Sequence, residues 1–411
     1  MSVDVHAHLA APPPHRCGGG AGPLRDVAGH AARAAALLAP VGTETLPLAR
    51  CAGRRLADDV HAVDDLPAFD NSAMDGYALR IGDLGPDGLP VTAHVPAGSV
   101  PAALTPGTAQ RVMTGAPLPE GADTIVPVEL TDDGREHVRV LAPVTAGRHI
   151  RRRGDDIRTG DVVLRAGTAL GPAQLAAAAG CGLAALPVHR RLRVAVLSAG
   201  SELVGAGGRR GAGQTHDSNG VLLVAALHAA GADAEQLPIV PDSPAELAAL
   251  LERHLDGIDL LVTSGGISAG DHEVVRDTLG PAGVEFGPVA LRPGGAQGLG
   301  TYRGVPVITL PGNPVACWVG FELFVRPAVR AASRLPQDRV RRSARAAVAF
   351  RASPGRHTVV PAVLDELTGE VAPVPSAGSH SLRALAGANC LVELDGTGAG
   401  AGEQVRVLPT S

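Results

Sequence analysis

The sequence predicts a multidomain α/β protein. A helical and β-containing domain carries an inserted β-rich module, and a layered α/β domain and a small C-terminal β domain follow. Three observations lead there. The 411 residues exceed what one hydrophobic core organises, and at 45% hydrophobic residues they supply apolar material for about two to four domains. Apolar spacing changes from helical at 24–40 to short β-like runs between 51 and 144. From Arg193 onward, strands alternate with helices, as in βαβ units around a parallel sheet.

Residues 1–23 contain an H-x-H pair, His6 and His8, but Pro12, Pro13, Pro14 and a glycine run follow at once, so the segment reads as a flexible tail. The Ala-rich stretch 24–40 has apolar residues at helical spacing and stops at Gly42, which predicts a helix entering the first domain. Runs at 90–95, 109–113, 124–130 and 137–140, separated by Gly, Pro and Asp turns, predict the β-rich module. The Arg-rich stretch IRRRGDDIRTGDVVLRAG and a helix over 172–179 suggest that the chain then returns to its first domain, leaving the module as an insertion.

RVAVLS opens the α/β part, and a helix follows Asp217-Ser218-Asn219 and stops near Gly231. Ser243-Pro244-Ala245-Glu246 is a capping box with Pro at the first helical position. IDLLVT reads as a buried parallel strand. Strands near 285–291 and 305–310 and a helix over 314–333 complete the layer, and the chain after Leu335 looks like a small β domain.

Composition removes several functional classes. All 36 basic residues are Arg, 41 residues are acidic and the net charge is -5, so no global basic field draws in nucleic acid. Eight aromatic residues are too few for base-stacking platforms. Cys17, Cys51, Cys181, Cys317 and Cys390 are far apart with no C-x-x-C pair, which predicts reduced thiols in a cytoplasmic protein. The N-terminus lacks a signal-peptide pattern, and 169–188 is interrupted by Gln, Gly and Pro, so neither secretion nor a membrane span is expected.

Ligands of parallel α/β sheets collect beyond the carboxyl ends of the strands. Three glycine-containing loops lie there: Ala199-Gly200-Ser201-Glu202, Ser264-Gly265-Gly266-Ile267-Ser268-Ala269-Gly270-Asp271, and Pro311-Gly312-Asn313-Pro314. Glycine lets backbone N–H groups approach an anion closely. Acidic residues stand beside them: Glu202, Asp217, Asp242, Asp271 and Glu273. For Asp217 a helix cap, and for Asp242 a turn, is an equal alternative to a site role. Carboxylates next to anion-binding loops suit a Mg²⁺ ion bridging to phosphate. A P-loop is excluded because the chain has no Lys, and SAGSEL replaces the G-x-G-x-x-G of a nicotinamide site.

The stretch PAFDNSAMDGYA at 67–78 closely resembles the signature of the molybdopterin molybdenumtransferases, bacterial relatives of the gephyrin E domain. The resemblance continues in family order through RVMTGAP at 111–117, PEGAD at 119–123, RRGDDI at 152–157, then SAGSEL, DSN, SGGISAGD and LPGNP. It covers the chain from about residue 24 to the end.

The resemblance implies an elongated helical/β domain of residues 24–50 and 145–184 and an inserted β-rich domain at 51–144. A molybdopterin-binding, three-layer α/β domain would span 185–334 and a small β barrel 335–411. It further implies a cytoplasmic homodimer in which the inserted domain of one subunit, with Asp75 and Thr114, serves the α/β site of the other. The activity implied is insertion of molybdate into adenylylated molybdopterin with release of AMP and with Mg²⁺. Asp75, Asp156, Glu202, Asp242, Asp271 and Glu273 match its acidic positions, and Glu202, Asp242 and Glu273 are the implied metal ligands. Thr114, Ser264, Gly265, Gly266, Ser268, Pro311, Gly312, Asn313 and Pro314 match substrate contacts. Arg292, Arg356 and Ser379 match the molybdate pocket. A molybdopterin adenylyltransferase and recipient molybdoenzymes are the implied partners.

Two departures from the family stand out. Where many relatives carry K-P-G-K-P this chain has Arg292-Pro293-Gly294-Gly295-Ala296, and Glu273 stands where Asp is more usual. Arg292 still binds an oxyanion, with a reach and geometry different from Lys. The competing readings are a molybdopterin adenylyltransferase, a non-catalytic gephyrin-like scaffold and an H-x-H metal hydrolase.

Overall fold

A computed structural model describes residues 24–268, 273–337, 339–375 and 378–410. His6, His8, Cys17 and Asp271 lie outside the described residues. The chain divides into two compact units. One comprises the residues up to Gly42 together with those from His189 onward, and the other is Thr43–Val188.

In the Thr43–Val188 unit, a five-stranded sheet has the order Thr124–Pro127, Gly76–Leu79, Ala109–Val112, Leu89–Val95, His137–Val138. Successive residues of a strand face opposite sides. Tyr77 and Leu79 therefore join Ala109 and Val126 in one core, while Ala78 joins Val95, Val112 and Ile125 in another. Outside this sheet, Thr43–Pro47 lies in one two-stranded sheet with Ala185–His189, and Val60–His61 pairs with Val162–Leu164. The surrounding core contains Leu46, Cys51, Leu56, Leu170, Ala178 and Leu186, with Ala178 supplied by the helix Pro172–Gly180. The chain thus leaves this stem, builds the sheet and returns. Cys51, Leu56 and Val60 pack in the stem, although the sequence segmentation groups them with the insertion, because Leu56 and Val60 bond to the returning strand and turn.

The other unit contains a six-stranded sheet in the order Asp233–Gln236, Arg193–Ser198, Leu260–Ser264, Val305–Leu310, Ala296–Tyr302, Val284–Pro288. The first four strands are parallel and the last two antiparallel to their neighbours. Apolar side chains fill both faces, as a central parallel sheet requires. Val194, Val196 and Val262 meet Leu223 and Leu227 of the helix Asn219–Ala230 on one side. Ala195, Leu197 and Leu261 meet Leu247 and Leu251 of the helix Pro244–His254 on the other. Helices on both faces give three layers.

The helix Val27–Ala36 starts at Asp26, whose carboxylate accepts from the Gly29 N–H. Ala34, Leu38 and Val41 are buried in the same core as Phe324 and Ala328, so this helix is part of the α/β unit, where the sequence grouped it with the elongated domain. The expected helix over 314–333 is present as Pro314–Gly320, a π turn Phe321–Val325, and Arg326–Ala332. Pro327 has no N–H to offer the carbonyl four residues back, and the ladder widens in the turn before it.

The C-terminal part is a closed five-stranded barrel. Its strands run in the order His357–Asp365, Glu370–Pro373, Arg342–Ala346, Gln404–Pro409 and Cys390–Asp395, and the last pairs back with the first. Leu291–Arg292 pairs in parallel with its edge at His357 and Thr358. Among the described residues no helix is long and apolar enough to cross a membrane.

Candidate functional site

Strand register sets the candidate loops of the α/β unit. Ser198 pairs with Ser264, and Ser264 with Leu310, so the three loops that follow start side by side at the carboxyl edge of the sheet. Ser264 is buried. Its hydroxyl accepts from Asn219 Nδ2 at 2.8 Å and donates to the Pro311 carbonyl at 3.2 Å, while Asn219 Nδ2 also donates to the Gly312 carbonyl at 2.7 Å. Gly265 and Gly266 have φ of 86° and 66°, conformations that a Cβ would strain. Cys317, one turn into the following helix, is buried, and burial pushes its thiol up to about 12.

The acidic residues of these loops divide by what they hold. Asp217 is buried and accepts from the Gly220 N–H at 2.9 Å and from Gln236 Nε2 at 2.7 Å, which is the cap alternative. Glu273 is also buried; its two oxygens take the Ser268 N–H at 2.7 Å and the Ser268 hydroxyl at 2.5 Å, bracing the glycine loop. Asp242 is exposed and exchanges bonds with Ser201, accepting its N–H at 3.1 Å while the Asp242 N–H donates to the Ser201 hydroxyl at 3.0 Å. Glu202, next to Ser201, is exposed.

Of the residues matched to the molybdate pocket, Ser379 touches the first turn of the helix Pro314–Gly320, and Arg356 lies against the loop that follows Arg292. The Ser379 carbonyl accepts from the Val315 N–H at 3.0 Å. The place where a Cβ on Gly294 would sit is 3.2 Å from the Ala316 carbonyl oxygen. One residue on, the corresponding place at Gly295 is 3.1 Å from Arg356 Nη1, so the missing side chain leaves room for the Arg356 guanidinium. Arg292, exposed, begins this loop. Asn313 is exposed just ahead of the helix.

The Thr43–Val188 unit contains its own set of candidate residues. Gly76 pairs with Val112, which brings the residues beyond each strand end together. Asp75 Oδ1 accepts from the Thr114 N–H at 2.6 Å and the Thr114 hydroxyl at 2.9 Å. Those two bonds, the backbone one first, and then Arg111 hold the exposed Asp75 carboxyl below the ordinary range. Asp156 is exposed and lines a recess of about 350 Å³ with Leu66, Pro67, Arg151 and Asp155. The neighbouring arginines are committed: Arg152 donates to Asp70 at 2.6 Å, and Arg153 bonds Asp65.

Family models match nearly the whole of this architecture. The MoeA N-terminal region (domain I and II) matches residues 25–182, a probable molybdopterin binding domain 195–331, and the MoeA C-terminal region (domain IV) 343–410. Molybdopterin molybdenumtransferase 2 of Mycobacterium tuberculosis is 43% identical over 401 residues, covering 93% of this chain and 99% of the relative. The chain belongs to the molybdopterin molybdenumtransferase family. Molybdopterin molybdenumtransferase 1 of the same organism is 37% identical, covering 93% of this chain and 97% of the relative. The crystal structure of a molybdopterin biosynthesis MoeA protein from Pyrococcus horikosii superposes with a TM-score of 0.79 at 28% identity, covering 94% of this chain and 99% of that one.

Among the described residues no group of three or more His, Cys, Asp or Glu side chains is placed to hold a metal ion. Glu273 presents both oxygens to Ser268. Glu202 and Asp242 are exposed beside the Ser201 tie, and one or two carboxylates are what Mg²⁺ requires when substrate phosphates complete its shell. Sequence reasoning assigned no role to Asn219. The DSN motif contains it, but the cap signal of Asp217 accounted for the motif.

Proposed function

We propose that this member of the family inserts molybdenum from molybdate into adenylylated molybdopterin and releases AMP. The observation that carries the reading is a convergence. The Ser264–Gly266 and Pro311–Pro314 loops, tied by Asn219, meet the Arg356–Gly295 and Ser379–Val315 contacts around one helix turn. Anion-accepting backbone on one side and Arg on the other suit a substrate with phosphate groups and a tetrahedral oxyanion. Ser264, Gly265, Gly266, Ser268 and residues 311–314 would contact the pterin nucleotide, and Arg292, Arg356 and Ser379 the molybdate.

Mg²⁺ belongs to the proposal through Glu202 and Asp242, where it would neutralise phosphate charge when bound. Asp75, bonded to Thr114, would take the proton of the water that attacks the adenylyl phosphorus as the bond to AMP breaks. Assembly as a cytoplasmic homodimer, with Asp75, Thr114 and Asp156 acting on the second copy's site, completes the reading, together with delivery from an adenylyltransferase and transfer to molybdoenzymes.

The test is conversion of adenylylated molybdopterin by the purified chain, with and without molybdate and Mg²⁺. Molybdate-stimulated, metal-dependent AMP release supports the proposal. Substrate binding with no AMP release at any molybdate concentration contradicts it and favours a scaffold.

A further inference from the structure

We infer that Asn219 is a positioning residue for the substrate loops, a role that rests on the reading of those loops given above. Its amide has two protons, and each goes to a different loop: one to the Ser264 hydroxyl at 2.8 Å, the other to the Gly312 carbonyl at 2.7 Å. The Ser264 hydroxyl, having accepted, donates to the Pro311 carbonyl at 3.2 Å. Asn219 therefore extends the tie between the loop after Leu260–Ser264 and the loop after Val305–Leu310 beyond the bond from the Gly265 N–H to the Leu310 carbonyl.

The DSN triplet divides the labour. Asp217 holds the start of the helix Asn219–Ala230 through Gly220 and Gln236, which anchors the backbone of residue 219. From that anchored position Asn219 reaches outward to the loops. It is only 7% exposed, so water does not compete freely for its protons. Beyond the bond from the Gly265 N–H to the Leu310 carbonyl at 3.1 Å, strand pairing leaves these loops free to separate, where Gly266 and Gly312 give the backbone little steric restraint. The chemistry of the residue is specific. Asp at 219 would set an oxygen against the Gly312 carbonyl, and Ser is too short to serve both partners.

The sole tryptophan, Trp318, lies in the helix that follows Pro311–Pro314 and stacks on Phe321 at 5.6 Å, so its emission reports on this edge without any catalytic readout. The experiment titrates wild type, Asn219→Ala and Asn219→Asp with adenylylated molybdopterin in the absence of molybdate, following Trp318 fluorescence. Thermal unfolding and hydrogen exchange at the Gly265 amide are measured on the same samples. Both variants are expected to bind about tenfold or more weakly, since small misplacements of binding groups are costly. Gly265 exchange should accelerate while amides inside the helix Asn219–Ala230 stay protected. Adding Ser264→Ala to Asn219→Ala should cost little more, because both changes cut one network. Wild-type binding with both variants within twofold of it overturns the inference alone. Failure of the wild type to bind overturns the substrate-loop reading beneath it.

Discussion

Asp217 and Glu273 at the edge of the α/β sheet and Asp75 and Asp156 of the Thr43–Val188 unit carry the same chemistry and do opposite work. Asp217 and Glu273 are buried, and each spends both oxygens on protein donors that hold a helix start or a glycine loop. Asp75 and Asp156 are exposed, and Asp75 is restrained only on the side of Thr114. Burial is the discriminating variable. A buried ion must be fully paired, which makes it a brace, whereas an exposed one retains lone pairs for a substrate or metal.

The comparison breaks most visibly under Asp217→Ala. Removing this carboxylate strands the buried Gly220 N–H, while the exposed Gln236 amide turns to water, at a cost of about 2 kcal/mol in urea unfolding. Asp75→Ala should leave the unfolding midpoint unchanged. Equal losses from the two substitutions would contradict the division.

The next effect extends the rule from acids to a base. His30 is 1% exposed, packs edge-on against Phe324 at 4.6 Å, and among the described residues neither ring nitrogen has a hydrogen-bond partner. Burial first, then Arg25 and Arg33, lowers its pKa to about 4 from 6.5. The folded state thus binds this proton less readily than the unfolded one, so stability is complete above pH 6.5 and declines as pH falls toward 4. Glu393 shows the contrary arrangement. Burial raises it, but bonds from His357 and Arg341 prevail and hold it at about 2, so its contribution is lost only as pH falls from 4.5 through 2. His357 itself is raised by its bond to Glu393 against the effect of burial, then by Asp395; its contribution is present at and below pH 6.5 and is lost above, as pH rises through its folded value. In the window from pH 6.5 to 4.5 buried Glu322, raised by burial against its bond to Arg339, gains stability as pH falls, so the His30 loss is read as the difference between wild type and a His30 variant. Urea melts at pH 5 should show about 2 kcal/mol of loss relative to pH 7 that His30→Leu removes.

The smallest effect concerns the oxyanion loop. Gly295→Ala places a methyl where Arg356 Nη1 lies 3.1 Å away, and shifting that guanidinium should weaken molybdate binding about threefold by calorimetry. Unchanged affinity would mean that Arg356 does not serve the oxyanion.

How much of this was legible in sequence depends on whether the signal was local. The strand–loop–helix alternation and the loops after Ser198, Ser264 and Leu310 follow from apolar runs ending at glycine, and the register in the structure sets them side by side. The PAFDNSAMDGYA motif singled out Asp75, and strand pairing of Gly76 with Val112 supplied the Thr114 contact that sequence distance concealed. Burial was not legible. Glu273 reads as a metal ligand beside a glycine loop, and only its geometry shows it turned onto Ser268. The helix Val27–Ala36 misled for a related reason: an Ala-rich face has no preference among cores, and Phe324 and Ala328 decide where it packs.

The account is tested most directly by single-turnover AMP release from enzyme saturated with adenylylated molybdopterin and molybdate, comparing wild type with Asp75→Asn. The substitution keeps the shape and the Thr114 contact but removes the exposed charge. Wild-type affinity with AMP release slowed about a hundredfold or more is the predicted result. Release at the wild-type rate would show that Asp75, like Asp217, only holds the fold.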